Sequence, residues 1–240
     1  MSKQPRLVEV RQKVLKQNDV VAREMREHFG NAGVFVVSLV SSPGAGKTEL
    51  LEQTLVSLVR ARRRVAAVVG DLATENDASR LSRSGAPVRQ IVTGTVCHLE
   101  AQMVRNALAG WDLANLDYLF IENVGNLVCP ASYDLGEDLR VVLMSTTEGE
   151  DKPLKYPTIF NTADVALITK SDLVVAAQFD RARARESIER VRPGMAVMEV
   201  SARTGAGMNE WLSNLESRRM EKSWPAPRKM DDPLSLHASA

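Results

Sequence analysis

Seven short runs rich in Val, Ile and Leu recur along the chain, near 34–41, 65–70, 88–92, 117–122, 139–145, 164–169 and 196–200. Between them, apolar residues return at helical spacing near 47–60, 76–84, 98–109, 178–191 and 207–220. Strand-like runs alternating with amphipathic stretches predict an α/β fold, a three-layer sandwich around a mostly parallel sheet of about seven strands. Ligands of such a fold sit at the carboxyl ends of the strands, so the residues closing each run are the ones to inspect. Ahead of the first run, Leu7, Val10, Val14, Leu15, Val21, Met25 and Phe29 lie among charges at roughly helical spacing. The pattern breaks near Asn18-Asp19, where a new N-cap is expected, and Gly30-Asn31-Ala32-Gly33 closes it. The chain thus divides into a helical arm over residues 1–32, a main domain over 33–220 and a loosely held tail over 221–240, where periodicity stops.

Composition narrows the class. The 240 residues are 44% hydrophobic, enough for a sizeable core. A formal net charge of +1 gives no electrostatic reason to expect nucleic acid or an acidic membrane surface. The longest apolar stretch is far short of a membrane span, and the charged start lacks a signal peptide. With two cysteines, too few for a disulfide framework, the expectation is a cytoplasmic protein.

The first run ends in Ser41-Ser42-Pro43-Gly44-Ala45-Gly46-Lys47-Thr48, followed by the helical Glu49-Leu50-Leu51. Strand, glycine-rich turn, Lys-Thr and helix make a phosphate-binding loop. Small residues let backbone N–H groups from Gly44 to Thr48 wrap an anion at the positive end of a new helix. Lys47 then reaches the β- and γ-phosphates, the Thr48 hydroxyl ligates Mg²⁺, and Ser42, Ala45, Gly46 and Glu49 complete the cradle. The full pattern has glycine where this chain has Ser41. After the second run, Asp71 is either a Mg²⁺ or water ligand or a turn residue, and Asp77 reads as part of a helix start. The fourth run closes in Glu122-Asn123-Val124-Gly125. This layout matches the segment that holds Mg²⁺ through its carboxylate, here Glu122, and meets the γ-phosphate with the N–H of Gly125. After the sixth and seventh runs come Thr169-Lys170-Ser171-Asp172 and Ser201-Ala202. Lys-x-Asp followed by Ser-Ala selects guanine: the Asp172 carboxylate accepts from N1 and N2 of the base, Lys170 covers it, and the Ser201-Ala202 backbone meets O6.

Two further residues change the picture. Cys97 precedes His98 after the third run, a pair that suits a soft metal or a buried thiol. Cys129 lies four residues past Gly125, on the segment that moves when a γ-phosphate is lost. Together Cys97, His98 and Cys129 make a candidate nickel or zinc site.

The phosphate loop, the Cys97-His98-Leu99 stretch, the run Glu122-Asn123-Val124-Gly125-Asn126-Leu127-Val128-Cys129-Pro130 and Glu148-Gly149-Glu150-Asp151-Lys152-Pro153-Leu154-Lys155-Tyr156-Pro157 resemble the HypB family of nickel-incorporation GTPases. The resemblance spans roughly residues 5–215 and implies a P-loop GTPase of the signal-recognition/Min-type branch. It implies GTP and Mg²⁺ in the cleft and Ni²⁺ or Zn²⁺ held by Cys97, His98 and Cys129 at the interface of a GTP-dependent homodimer. It further implies delivery of nickel to the large subunit of a [NiFe] hydrogenase together with a HypA-type metallochaperone. The Cys-rich N-terminal motif and His-rich stretch of some members are absent here. Three other readings stay open: a GTPase chaperone for urease or a cobalamin-dependent mutase, a P-loop small-molecule kinase, and a metal-binding module without turnover.

Overall fold

In the computed structural model, which describes residues 5–71 and 76–224, every apolar run becomes a strand. They are β1 (Phe35–Ser41), β2 (Val65–Asp71), β3 (Val88–Val92), β4 (Tyr118–Glu122), β5 (Leu139–Ser145), β6 (Val165–Thr169) and β7 (Ala196–Glu199). They form one sheet in the order β3-β2-β4-β1-β5-β6-β7, with every pairing parallel. The helices are α1 (Pro5–Ala32), α2 (Lys47–Arg60), α3 (Asn76–Ser82), α4 (Ala101–Ala107), α5 (Lys152–Lys155), α6 (Pro157–Thr162), α7 (Arg181–Val191) and α8 (Met208–Glu221). Single 3-10 turns occupy Leu113–Asn115, Cys129–Ser132 and Ser171–Leu173.

Helices cover both faces of the sheet, which is why β1, β4, β5 and β6 are buried throughout and read as unbroken apolar runs. Alternate side chains of one strand feed different cores. Phe35, Val37 and Leu39 of β1 pack with Leu51 and Leu55 of α2 and Trp211 and Leu215 of α8. Val34 and Val36 pack with Ala22, Met25 and Phe29 of α1 and Val104 of α4. On the same side as the second core, Val40 joins Phe160 of α6 and Ile188 of α7. Trp211 is fully buried, and its Nε1–H is satisfied by Thr54 Oγ1 at 3.0 Å.

Several boundaries differ from the expected ones. The arm is one continuous helix, with no new start at Asn18-Asp19. Asn18 is buried, and its amide is engaged with other segments rather than capping its own helix. The helix expected over 98–109 begins at Ala101, because residues 93–100 form an irregular loop. The one expected from 178 begins at Arg181: Gln178 has φ 52°, and the Asp180 carboxylate accepts from the N–H groups of Ala182 and Arg183 at 2.9 and 3.1 Å. The short α5 and α6 were not expected; Pro153 and Pro157 both occupy first-turn positions where no N–H is needed. Of the tail expected over 221–240, Glu221 closes α8 and Trp224 packs against the first core, while residues 225–240 lie outside the described ones. Among the described residues no helix is long and apolar enough to cross a membrane.

Central β1 lies beside β4, and their chains leave in opposite directions, β1 toward β2 and β4 toward β5, so the loop after Ser41 opens at the switch point of the sheet. In register, Leu39 lies beside Glu122, and Val69 lies beside it from β2. The ends of β1, β2 and β4 therefore bring the phosphate loop, Asp71 and Glu122 to one edge.

Candidate functional site

The phosphate loop is shaped by two left-handed glycines, Gly44 (φ 73°) and Gly46 (φ 93°), the second serving as N-cap of α2. Side chains at those positions would strain the turn. Lys47 starts the helix and is buried; its ammonium donates to Ser41 Oγ at 2.9 Å. Ser41 in turn donates to the carbonyl of Ser42 at 2.6 Å, so the serine found in place of glycine holds the loop lysine ready. Burial pushes the Lys47 pKa down, against the pull of Glu122, Asp77, Glu148 and Asp71.

Glu122 closes β4 inside the same cleft, only 3% exposed. One carboxylate oxygen accepts from Thr48 Oγ1 at 2.7 Å; the other is shielded from solvent with no partner. Burial raises its pKa to about 7, with Lys47 and the Thr48 hydrogen bond opposing the rise and Asp77 and Asp71 adding to it. An orphaned carboxylate oxygen beside a hydroxyl, with Asp71 lining the same cleft, is a donor set that fits a hard cation such as Mg²⁺. Gly125 lies against the loop so closely that a Cβ would stand 2.9 Å from Pro43 Cα. Asp77 and Arg80 of α3 also line this cleft, and Arg80 pairs with Glu49 and Glu52 of α2 at 2.9 and 2.6 Å.

The cleft continues into a second hollow walled by Leu50, Lys170, Asp172, Leu173, Ser201, Ala202 and Arg203. Lys170 has φ 56°, and its Nζ donates to Gly44 O at 2.7 Å. Thr169 donates to Ala45 O at 2.6 Å and so ties β6 to the phosphate loop. Ser201 Oγ donates to Asp172 Oδ1 at 2.6 Å, aligning the carboxylate. Every sequence-predicted nucleotide residue therefore lies on one continuous cleft or in the turn beneath it.

The third group lies beyond the Gly125 segment. Cys97 Sγ and Cys129 Sγ are 2.9 Å apart, longer than the ~2.05 Å of a disulfide bond. With His98, their ligand atoms fall within 4.8 Å of one another, the one such His/Cys/Asp/Glu group among the described residues. Both ring nitrogens of His98 are shielded from solvent without a hydrogen-bond partner, and the Glu100 carboxylate stands 3.6 Å from Nε2. Burial pulls the imidazole pKa below its ordinary value, with Glu100 opposing, so the ring is neutral and able to ligate. Tyr133 covers it, ring centroids 3.9 Å apart. Two thiols and one neutral imidazole converging at this distance suit Zn²⁺ or Ni²⁺.

Sequence reasoning missed the residues that join these parts. Asn123 Oδ1 accepts from Leu99 N at 3.0 Å, and Asn126 Nδ2 donates to Cys97 O at 3.3 Å, so the Cys97-His98 loop is hitched to the Glu122–Cys129 segment. Glu148 accepts a short hydrogen bond from Ser42 Oγ, accepts from Ser145 N at 2.8 Å and pairs with Lys152 at 3.2 Å. Glu148 and both asparagines sat in conspicuous runs, but nothing in their spacing gave a partner; Tyr133 left no signal.

The family model described as "CobW/HypB/UreG, nucleotide-binding domain" matches residues 35–199. The hydrogenase maturation factor HypB of Azotobacter vinelandii is 49% identical over 216 residues, covering 90% of this chain and 71% of that protein. Among solved structures, HypB from Helicobacter pylori in complex with nickel matches with a TM-score of 0.81 at 38% identity, covering 88% of this chain and 99% of that one. HypB from Archaeoglobus fulgidus matches with a TM-score of 0.78 at 35% identity, covering 85% and 99%.

Proposed function

Because the chain belongs to the CobW/HypB/UreG family, among the HypB maturation factors, we propose that it is a GTP-hydrolysing metallochaperone that carries nickel to [NiFe] hydrogenase during its maturation. One observation carries this function: the Cys97, His98 and Cys129 donors converge on a loop pair hitched to the segment that runs from Glu122 past Gly125.

GTP lies with its base against Asp172, Lys170 and the Ser201-Ala202 turn and its phosphates on the Gly44–Thr48 backbone. Lys47 leaves Ser41 to meet the β- and γ-phosphates. Thr48 and Glu122 would hold Mg²⁺, which would supply positive charge against that developing on the phosphates. Asp71 orients the attacking water. Hydrolysis yields GDP and phosphate, and the protein contributes positioning and electrostatics rather than a covalent intermediate. Loss of the γ-phosphate removes the contact that fixes Gly125, and Asn123 and Asn126 pass that change to Cys97 and His98.

The cargo is Ni²⁺, with Zn²⁺ competing for the same donors. Three protein ligands leave a position open, which suits handing a metal on rather than locking it away. A HypA-type metallochaperone and the hydrogenase large subunit are the receiving partners, and a GTP-dependent homodimer brings two ligand sets together. Val128, the neighbour of Cys129, is exposed apolar surface that such a contact would cover.

The test is GTP turnover measured beside Ni²⁺ titration in GDP and in a non-hydrolysable GTP analogue. The expected result is turnover of GTP over ATP, nickel binding lost in Cys97→Ala and Cys129→Ala, and affinity that differs between nucleotide states. Equal nickel affinity in the two nucleotides would remove the coupling, and binding that survives both substitutions would remove the site.

A further inference from the structure

Among the described side chains of helix α1, one polar group, that of Asn18, is buried, and packing does not explain its place. Asn18 is 6% exposed in the middle of a helix, a position where asparagine is a weak helix former. A buried amide must find partners, and each partner constrains a neighbour. Asn18 Oδ1 accepts from Ala101 N at 2.8 Å, and Asn18 Nδ2 donates to Asp134 O at 2.8 Å. Ala101 is the first residue of α4, whose N-cap Glu100 makes no capping hydrogen bond. It follows His98 by three residues, and Asp134 follows Cys129 by five.

One amide thus spans the two loops that bear the metal donors. Its grip is reinforced from the same helix: Arg26 pairs with the Asp134 carboxylate at 2.7 Å, and Glu24 with Arg105 of α4 at 3.0 Å. The far loop is braced behind, where Arg140 donates to Tyr133 O at 2.7 Å and Tyr133 lies over the His98 ring. Resting on the metal reading above, we infer that Asn18 is a positioning residue: from outside the site it ties the His98 loop to the Cys129 loop and sets the distance between imidazole and thiolates. The helical arm then acts as the third side of the metal site while contributing no ligand. Nothing in the nucleotide cleft touches Asn18, so its effect falls on the metal.

The experiment is Ni²⁺ titration of the full chain against a competing chelator, following the thiolate-to-nickel charge-transfer absorbance, with GDP affinity measured on the same samples. Asn18→Leu keeps the branched shape and number of side-chain heavy atoms and removes both hydrogen bonds; Asn18→Asp keeps the acceptor for Ala101 N alone. Expected are roughly tenfold or greater loss of nickel affinity and an altered band in Asn18→Leu, a smaller loss in Asn18→Asp, and GDP affinity within about twofold of wild type. Unchanged nickel affinity and band in Asn18→Leu would overturn the inference, as would a parallel loss of GDP binding. Should Asn18→Leu not fold, Asn18→Asp decides: weaker nickel at unaltered GDP affinity supports the clamp, equal nickel binding overturns it. A wild-type chain without the band, or with one that survives joint Cys97→Ala and Cys129→Ala replacement, overturns the metal reading itself and the clamp with it.

Discussion

Asp172 presents one carboxylate oxygen to Ser201 Oγ at 2.6 Å, which turns the other toward the hollow walled by Leu173, Ala202 and Arg203. In the proposed pose the N1–H and N2–H of guanine would donate to this carboxylate, while the matching edge of adenine has no N–H, so Asp172 would supply the larger part of base choice. Hydrogen bonds to a charged partner contribute roughly 1.5–3 kcal/mol. Asp172→Ala should therefore weaken GTP and GDP by about 10- to 100-fold while leaving weak ATP binding as it is, read by competition with a fluorescent guanine nucleotide. An equal loss for both bases would assign Asp172 to loop structure instead. At this scale the shared cleft was legible because its residues sit in contiguous motifs closing apolar runs, where spacing alone dictates a common edge. Ser41 looked like a departure, and the structure gives it a bond to Lys47; Thr169 is likewise bonded to the loop, at Ala45 O. Asn18 was legible only as a helix break: its partners lie 83 and 116 residues away, and sequence spacing carries no information about them.

The segment from Glu122 to Cys129 does two jobs because it is short. It leaves β4 at the phosphate loop, meets Pro43 at Gly125 and ends in a thiol, with Asn123 and Asn126 holding the Cys97-His98 loop alongside. In the proposed switch, motion at its start would pass to the Cys97-His98 loop through these hydrogen bonds. Asn123→Ala removes the acceptor for Leu99 N and for Val124 N at 2.9 Å, and stranding buried donors costs about 1–3 kcal/mol each. The expected outcome is a lower melting temperature together with nickel affinity that no longer differs between GDP and a GTP analogue, both measurable on one preparation. A retained nucleotide dependence would place the coupling elsewhere. Element boundaries follow the same division between near and far. The strands were legible because burial on both faces writes itself into composition. The loop at 93–100 was not, since Asn123 and Asn126 fix it from across the fold through Leu99 N and Cys97 O, with Leu99 packing where a Cβ on Gly70 would fall.

The two edges of the sheet carry different burdens. The carboxyl edge gathers Lys47, Asp71, Glu122, Lys170 and the thiols, charged or reactive groups that cost stability when buried. The amino edge offsets this with pairs that do no chemistry. Asp117, just before β4, accepts from Arg64 N at 2.8 Å and pairs with the guanidinium groups of Arg64 and Arg219, each at 3.2 Å, joining β2, β4 and α8. Burial alone would raise the Asp117 pKa; the side-chain and backbone hydrogen bonds from Arg64 and the charges of Arg64 and Arg219 outweigh it, and the net shift is downward. A carboxyl whose folded pKa is depressed stabilises fully above its unfolded pKa of about 3.9 and loses that contribution as pH falls through the lower folded value. Urea denaturation should therefore show wild-type stability falling below about pH 4, and Asp117→Asn should be less stable at neutral pH with a shallower acid slope. GDP affinity should be the same in both, because Asp117 lies at the end of the sheet opposite the cleft. An acid slope unaltered by the substitution would mean that other carboxylates, such as Glu199 between Arg181 and Arg185, dominate the acid limb. A nucleotide affinity that fell with it would mean that the two edges are not energetically separate, and that the cleft draws its geometry from the far end of the same strands.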